Sequence, residues 1–270
     1  MFYNTISRKI EKLEEIFTFN KVEDSKLLIA IPHGGSHIPK ASLSFLDYEN
    51  ELFPLEIDQS VNDIYNIPKF SFAGTSVHRH VVNLNKQKYK SGELNIFRKV
   101  GFNGENLYNT KISESARNKL TKTYYDPFFN FIKDELYRIR EINGDAFLLN
   151  AHSMEANTPK VNLYLEDSKR PDFCLGTNFM QSIDSKILSD FYSALHSHTT
   201  SYFGSDISID IDDPFVGRVG LTKTFGQPKN GLNALLLEIN QNLYFSNMKS
   251  DKIVVEALNN IIEKTLEDII

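Results

Sequence analysis

Three short apolar runs in this chain lead directly to residues that can bind a metal ion or transfer a proton. The runs are residues 27–31 shortly before His33, residues 147–149 shortly before His152, and residues 234–237 immediately before Glu238. A continuous apolar run of this length is typical of a strand buried on both faces, as in a parallel sheet covered by helices. Because ligands bind beyond the carboxyl ends of such strands, we expect the two histidines and the glutamate to meet at one site.

Helical periodicity fills much of the sequence around these runs. Asp126-Pro127 predicts the start of a long helix that ends near Gly144, and further helices are predicted over residues 182–198 and 253–266. Apolar residues at helical spacing also predict an amphipathic helix in the first twenty residues, whereas residues 76–84 alternate like a strand. We therefore predict an α/β fold: a single three-layer domain over residues 1–270, with a mixed, largely parallel central sheet covered by helices.

Composition supports a folded protein that acts on small molecules. The chain has 270 residues, of which 41% are hydrophobic and 12% aromatic, so it can build a substantial core. Its net charge of −5 comes from 30 basic and 35 acidic residues without long runs of either sign. This pattern predicts no binding to nucleic acid or to an anionic membrane surface, and it indicates no particular oligomeric state.

The location that we expect from the sequence is the cytoplasm. Cys174 is the single cysteine, so no internal disulfide can form. No basic start followed by an apolar segment of about 7 to 15 residues directs secretion, and no stretch approaches the roughly 20 apolar residues that span a bilayer.

His33 and His152 are the best candidate metal ligands, because a strand end holds the direction of each side chain. A hydrolytic zinc ion often takes two histidines and one carboxylate and leaves a further position for water. The short His-x-x-Glu spacing is absent, since Ser36 follows His33 by three residues. The acidic ligand must then come from elsewhere, and Glu56 and Asp58 are the two candidates, with Asp58 favoured.

Glu238 and Arg79 have the properties of catalytic groups. Four apolar residues precede Glu238, so burial should raise the pKa of its carboxyl towards the range of a general base working near neutrality. Arg79 is a candidate to bind a substrate carboxylate or to polarise an acyl oxygen. The alternative roles are a salt-bridged structural glutamate and a surface arginine.

Several motifs together give the sequence a family resemblance that covers most of residues 27–245. The motifs are Ile31-Pro32-His33-Gly34-Gly35, Glu56-Ile57-Asp58, residues 79–86, Asn150-Ala151-His152-Ser153-Met154, Arg170-Pro171-Asp172-Phe173, Asp213-Pro214-Phe215 and, most strongly, residues 225–240. In their order and spacing they resemble the N-formylglutamate amidohydrolase family, zinc-dependent enzymes with a fold related to zinc carboxypeptidases and aspartoacylase.

The resemblance implies one Zn²⁺ per chain at His33, His152 and an acid near Asp58, with Glu238 as general base. It also implies that Arg79, Asn85 and Lys86 bind the substrate, a small N-acyl amino acid such as N-formylglutamate. We therefore expect a zinc-dependent amidohydrolase that cleaves a linear C–N amide bond.

Five positions depart from the family's usual pattern. Asn83 and Asn150 stand where the family usually has aspartate, and Lys86 and Lys223 stand where it usually has arginine; Arg218 replaces a glycine. Because lysine cannot bind a carboxylate bidentately, these changes bear on specificity. They leave two alternatives open, a hydrolase of another N-acyl or peptide substrate and a binding protein that has lost turnover.

Overall fold

A seven-stranded mixed sheet forms the centre of the computed structural model, which describes residues 16–47, 56–90, 95–102, 104–155 and 169–270. Its strands are β1 (Phe17–Asn20), β2 (Leu27–Ile31), β3 (Ser71–Thr75), β4 (Ala146–Met154), β5 (Phe173–Gly176), β6 (Ile209–Ile211) and β7 (Leu232–Asn240). They lie in the order β1-β3-β2-β4-β7-β5-β6. A separate hairpin pairs β8 (Phe245–Ser246) with β9 (Lys249–Ser250).

The four central strands β3, β2, β4 and β7 run parallel, so their carboxyl ends meet at one edge of the sheet. Strand β1 pairs with β3 in the antiparallel sense, and so does β5 with β7, whereas β6 is parallel to β5. The predicted α/β class, with a mixed and largely parallel sheet, is confirmed.

Helices cover the sheet on both faces. They are α1 (Val61–Ile64), α2 (Glu114–Leu120), α3 (Asp126–Asn143), α4 (Ser185–Phe203), α5 (Gly220–Phe225) and α6 (Lys252–Glu267), with short 3₁₀ turns at Lys40–Ser42, Pro228–Asn230 and Gln241–Leu243. Helices α3 and α5 pack on one face with Leu28 and Leu148, whereas α1, α4 and α6 pack on the other with Ile29 and Leu149. This alternation along buried strands gives the three predicted layers.

The long helix predicted from Asp126-Pro127 is confirmed: α3 ends at Asn143, and Gly144 caps it with a φ of 88°. A π-helical turn over Thr121–Tyr125 joins α2 to α3 in one continuous helical stretch. The start of α3 also supports the loop that follows β3, because Tyr125 donates a hydrogen bond from its hydroxyl to the Lys86 carbonyl over 3.0 Å and Asp126 forms an ion pair with Lys88 at 2.9 Å.

The strand predicted over residues 76–84 is wrong, and the helix predicted over the first twenty residues is contradicted at residues 17–20. The strand in this part of the chain is β3, which covers Ser71–Thr75 and ends before the predicted range of residues 76–84 begins. The backbone turns after His78, whose carbonyl accepts a hydrogen bond from the Val81 N–H at 3.0 Å. The helix predicted over the first twenty residues lies outside the described residues up to residue 15, but Phe17–Asn20 form strand β1. At residues 17–20 pairing with β3 overrides the periodic pattern, whereas at residues 78–81 a turn overrides the alternation.

The Gly34-Gly35 pair after His33 allows two parts of the chain to approach closely. A Cβ atom at Gly35 would lie 2.2 Å from the carbonyl carbon of Ser76. This space lets the loop after β2 lie beside the loop after β3, where the His37 N–H donates to the Ser76 carbonyl at 2.7 Å. Glycine is therefore needed here for backbone packing.

Within the described ranges, every helix is too short or too polar to cross a lipid bilayer.

A buried ion pair joins α3 to the sheet. Glu135 is fully buried and accepts hydrogen bonds from the Ser71 hydroxyl at 2.6 Å and from Arg138 at 2.6 and 2.9 Å. Burial alone would raise the pKa of Glu135, but the hydrogen bonds from Arg138 and Ser71 outweigh burial and lower it. Arg138 also donates to the Val22 carbonyl, so it links α3 to the loop between β1 and β2.

We predict that Arg138→Met lowers the free energy of unfolding by about 3 kcal/mol, because it leaves the Glu135 carboxylate buried without its partner. Since the folded-state pKa of Glu135 is lowered, the stabilisation is present above the ordinary carboxyl pKa and is lost as the pH falls below about 4. Urea unfolding at pH 7 and pH 3 measures both effects. The control Lys133→Met removes an exposed ion pair and should cost less than about 1 kcal/mol.

Candidate active site

The carboxyl edge of the parallel strands carries the two histidines and the glutamate singled out in the sequence. His33 lies two residues beyond β2, and His152 and Glu238 are register partners near the ends of the neighbouring strands β4 and β7. Since side chains alternate along a strand, Asn150, His152 and Glu238 project from the same face of the sheet as Leu148 and Ala234. The expected meeting of these residues at one edge is therefore found.

His33, Asp58 and His152 form a compact group of potential metal ligands. One donor atom from each lies within 4.8 Å of the other two, and all three residues are at most 3% exposed. Two imidazole nitrogens and one carboxylate oxygen match the donor set of many catalytic zinc sites. The group is thus compatible with a metal site.

The Asp58 carboxylate is the centre of this group. Its Oδ2 lies 2.8 Å from His152 Nδ1 and 3.8 Å from His33 Nδ1, and it accepts a hydrogen bond from the Ser153 N–H at 3.3 Å. Its Oδ1 accepts from Arg79 Nη1 at 3.1 Å. A buried carboxylate needs such partners, and together they fix its position.

Glu56, the alternative acid, points to another part of the structure. Its Oε2 lies 2.5 Å from His80 Nε2, and its Oε1 accepts a hydrogen bond from the Phe102 N–H at 2.7 Å. The structure therefore places Asp58, and not Glu56, with the two histidines. Glu56 instead holds together the loops that carry His80 and Phe102.

Burial dominates the ionisation of the site. It raises the pKa of Glu238 to about 7, although the charges of His152, Arg79 and Arg170 oppose this shift. Burial also lowers the pKa of His33 well below its usual value, and the nearby Arg79 charge acts in the same direction. At neutral pH His33 is therefore an uncharged imidazole, which is the form that binds a metal ion.

Arg79 reaches the site from the loop after β3. Its guanidinium lies over the ring of Phe102, 5.0 Å from the ring centre, and its Nη1 is bound to Asp58. Its Nε is buried and makes no hydrogen bond with the described residues. The turn at His78 gives Arg79 this direction. The rings of His78 and His80 are buried together beside the turn, 4.8 Å apart, and do not enter the group of potential ligands.

A cleft of about 470 Å³ opens above the group. Of the candidate site residues from the sequence, all but Glu56 line it: His33, Asp58, Arg79, Asn85, Lys86, His152 and Glu238. Among the described residues, five basic side chains line it, namely Arg79, Lys86, Arg98, Arg170 and Arg218, against three acidic ones, Asp58, Glu155 and Glu238. This excess of positive charge suits an anionic ligand.

Arg170, Arg98 and Phe102 line the cleft but were not among the site residues predicted from the sequence. Arg170 precedes β5, and because β5 runs antiparallel to β7, the start of β5 lies at the same edge as the end of β7. Arg170 could have been predicted only if the antiparallel direction of β5 had been known, because that direction brings the start of β5 to the site. Arg98 and Phe102 lie in an irregular loop without periodicity, so the sequence contains no signal for them.

The α/β fold carries a cleft with a buried donor group that is compatible with a metal site, and comparison with known proteins identifies the family. The model of the N-formylglutamate amidohydrolase family matches residues 25–245. The chain belongs to this family.

Two curated relatives and one solved structure illustrate the similarity. An N-formylglutamate deformylase of Pseudomonas putida is 28% identical over 81% of both chains, and one of Pseudomonas aeruginosa is 26% identical over 96% of this chain and 97% of its own. The crystal structure of N-formylglutamate amidohydrolase from Ralstonia eutropha JMP134 matches with a TM-score of 0.80 and 17% identity, covering 94% of this chain and 98% of that one. This structural likeness supports the fold.

Proposed function

We propose that this protein hydrolyses the amide bond of a small N-acyl amino acid, with N-formylglutamate as the first candidate, and that it uses one Zn²⁺ held by His33, Asp58 and His152. The observation that carries the proposal is the buried His33-Asp58-His152 group beside a buried glutamate in one cationic cleft. The names of the deformylase relatives support the choice of substrate.

The residues present fit a zinc ion. Asp58 Oδ2 and the Nδ1 atoms of both histidines face one another, which places three ligand atoms of suitable chemistry around one point. When bound at such a site, zinc acidifies water and polarises a carbonyl oxygen.

Glu238 acts as the general base in this proposal. With a pKa of about 7 it can accept a proton from the attacking water and later donate one to the leaving amine. The water oxygen bonds to the acyl carbon as the C–N bond breaks, and the products are the free acid, formate for a formyl substrate, and the amino acid.

Arg79, Asn85 and Lys86 orient the substrate. The Arg79 guanidinium lines the cleft and can stabilise the negative charge on the acyl oxygen in the transition state. Lys86 lies in the same loop and lines the cleft, where its charge can attract a substrate carboxylate. A cytoplasmic enzyme made of one domain over residues 1–270 fits this role.

The proposal is tested by the zinc content of the purified protein together with its activity on a panel of N-acyl amino acids. About one zinc per chain and turnover of N-formylglutamate support it. Stoichiometric zinc without turnover of any member of the panel would identify a binding protein, and turnover of another member alone would change the substrate.

Removing a ligand tests the metal site. We predict that His33→Ala and His152→Ala abolish zinc binding, and that Asp58→Ala weakens it strongly, because each removes one of three donors. Glu56→Ala is the matched control and should retain zinc, since its carboxylate binds His80. Metal content after dialysis measures the effect, and circular dichroism verifies that each variant is folded. Full zinc occupancy in either histidine variant contradicts the assignment.

Replacing the general base separates chemistry from metal binding. We predict that Glu238→Gln retains zinc but lowers kcat by about 10² to 10⁴, because the amide cannot accept a proton. In the unsubstituted enzyme kcat/KM should rise with pH as Glu238 loses its proton, with a limb at or below about pH 7 because a nearby cation lowers the pKa further. The glutamine variant should lack this limb.

Glu155→Gln is the control for this experiment, since Glu155 is another carboxylate that lines the cleft. It should retain most of kcat and the acidic limb. Near-normal turnover in Glu238→Gln would show that Glu238 is structural.

Lys86 tests recognition of the substrate carboxylate. We predict that Lys86→Arg lowers KM for N-formylglutamate by about three- to tenfold with little change in kcat, because a bidentate contact forms in the ground state and in the transition state alike. Lys88→Arg is the control, since Lys88 binds Asp126 and should leave both constants unchanged. Steady-state kinetics measure the effect, and an unchanged or higher KM in Lys86→Arg shows a pocket built for another ligand.

A further inference from the structure

Neutral amides contact the outer nitrogen of both candidate histidine ligands. His33 Nε2 lies 2.8 Å from Asn83 Oδ1, and His152 Nε2 lies 3.1 Å from Asn150 Oδ1 and 2.9 Å from Asn85 Nδ2. A ring nitrogen facing an acceptor must carry the proton, whereas one facing a donor must not. The orientation of each amide therefore determines which nitrogen of the histidine is available to a cation.

The amide of Asn83 has a defined orientation. Its Oδ1 accepts a hydrogen bond from the Asn85 backbone N–H at 3.0 Å, and a backbone N–H can only donate. The atom facing His33 is therefore an oxygen, and His33 Nε2 must donate its proton to it. With this proton on Nε2, the neutral tautomer of His33 presents an unprotonated Nδ1 towards Asp58 Oδ2, 3.8 Å away.

The amides near His152 are oriented one by the other: a backbone N–H, which can only donate, orients Asn85, and the Asn85 oxygen, which can only accept, orients Asn150. The Leu221 N–H donates to Asn85 Oδ1 at 3.0 Å, and Asn150 Nδ2 donates to the same oxygen at 3.1 Å and to the Thr222 hydroxyl at 3.0 Å. Asn85 thus directs its NH₂ group at His152 Nε2, while Asn150 directs its oxygen there. The two amides favour opposite tautomers of His152.

We propose that the three asparagines Asn83, Asn85 and Asn150 are positioning residues that set the tautomers of the two histidines. Asn83 holds His33 in the Nε2-protonated form that a metal ion requires, with or without the metal. In the metal-free protein, His152 donates from Nδ1 to Asp58 and accepts from Asn85. A cation bound through Nδ1 would require the His152 proton on Nε2, where the Asn150 oxygen can accept it. This inference rests on the proposed function for the cation site.

The neutrality of these partners has a consequence for metal affinity. A carboxylate that accepts from a ligating histidine raises the basicity of the ring and strengthens metal binding, and loss of such an outer partner typically costs 10- to 100-fold in affinity. An asparagine orients the ring without adding negative charge. It thereby preserves the cationic character of the cleft that an anionic substrate needs.

The tautomers are tested by long-range ¹H–¹⁵N spectra of protein with ¹⁵N-labelled histidine, recorded at pH 8.5, above the ordinary imidazole pKa of about 6.5. Before zinc is added, we expect His33 protonated on Nε2 and His152 on Nδ1. Saturation with zinc should change the tautomer of His152 alone, and Asn83→Leu should give a mixture of tautomers at His33. Protonation of His33 on Nδ1, or a His33 tautomer unaffected by Asn83→Leu, overturns the role of Asn83. A His152 tautomer that zinc leaves unchanged overturns the roles of Asn85 and Asn150.

Zinc affinity is measured in parallel by competition with a chelator. Asn83→Leu should weaken zinc binding by about 10- to 100-fold, and Asn83→Asp, which retains the hydrogen bond and adds charge, should tighten it by about tenfold. Equal affinity in Asn83→Asp and the unsubstituted protein contradicts the argument from neutrality. If Asn83→Leu does not fold, the His33 tautomer in the unsubstituted protein and the zinc affinity of Asn83→Asp still test the role of Asn83.

These measurements also separate the inference from the proposed function. A protein that binds zinc with the expected tautomers but hydrolyses no N-acyl amino acid refutes the function and retains the positioning role. Turnover of N-formylglutamate by a protein with the opposite tautomer at His33 supports the function and refutes the positioning role of Asn83.

Discussion

The buried Asp58 carboxylate is the constraint on which the rest of the site depends. A charge removed from water must be compensated by nearby donors, and those of Asp58 come from two separate parts of the chain. Arg79 approaches from the loop after β3, and His152 and Ser153 belong to β4. The Asp58 N–H also donates to the His33 carbonyl at 3.2 Å, which joins the loop after β2 to the same point. Satisfying one carboxylate thus gathers the parts of the chain that build the cleft.

The edge of the sheet where the site lies could be predicted from the sequence because the signal is local. Each buried strand gives an apolar run, and the polar residue that ends it necessarily lies at the carboxyl edge, as His152 and Glu238 do. The path of Arg79 could not be predicted in this way. His78 and His80 alternate with it as in a strand, and only the contacts of both rings inside the fold reveal a turn.

The choice between Glu56 and Asp58 illustrates a second limit. The two acids are two residues apart in one irregular segment, so no periodicity distinguishes them. The two acids differ in their partners. Glu56 binds His80 and the Phe102 N–H, whereas Asp58 lies beside His33 and His152. Such partners come from remote segments and become known only with the fold. Arg170 was missed for a related reason, because the antiparallel direction of β5 is not visible in its short apolar sequence.

The residues proposed for catalysis and the residue proposed for substrate recognition are held by different elements of the fold. His152 and Glu238 are held by rigid central strands, whereas Lys86 lies in a loop supported by the π-helical turn and the start of α3 through Tyr125 and Asp126. A change in that helical turn would move the loop that carries Lys86 without altering a strand. In the proposed function, substrate preference can therefore drift during evolution by remodelling a helix on one side of the molecule, while the imidazoles and carboxylates that we propose for bond cleavage stay where they are.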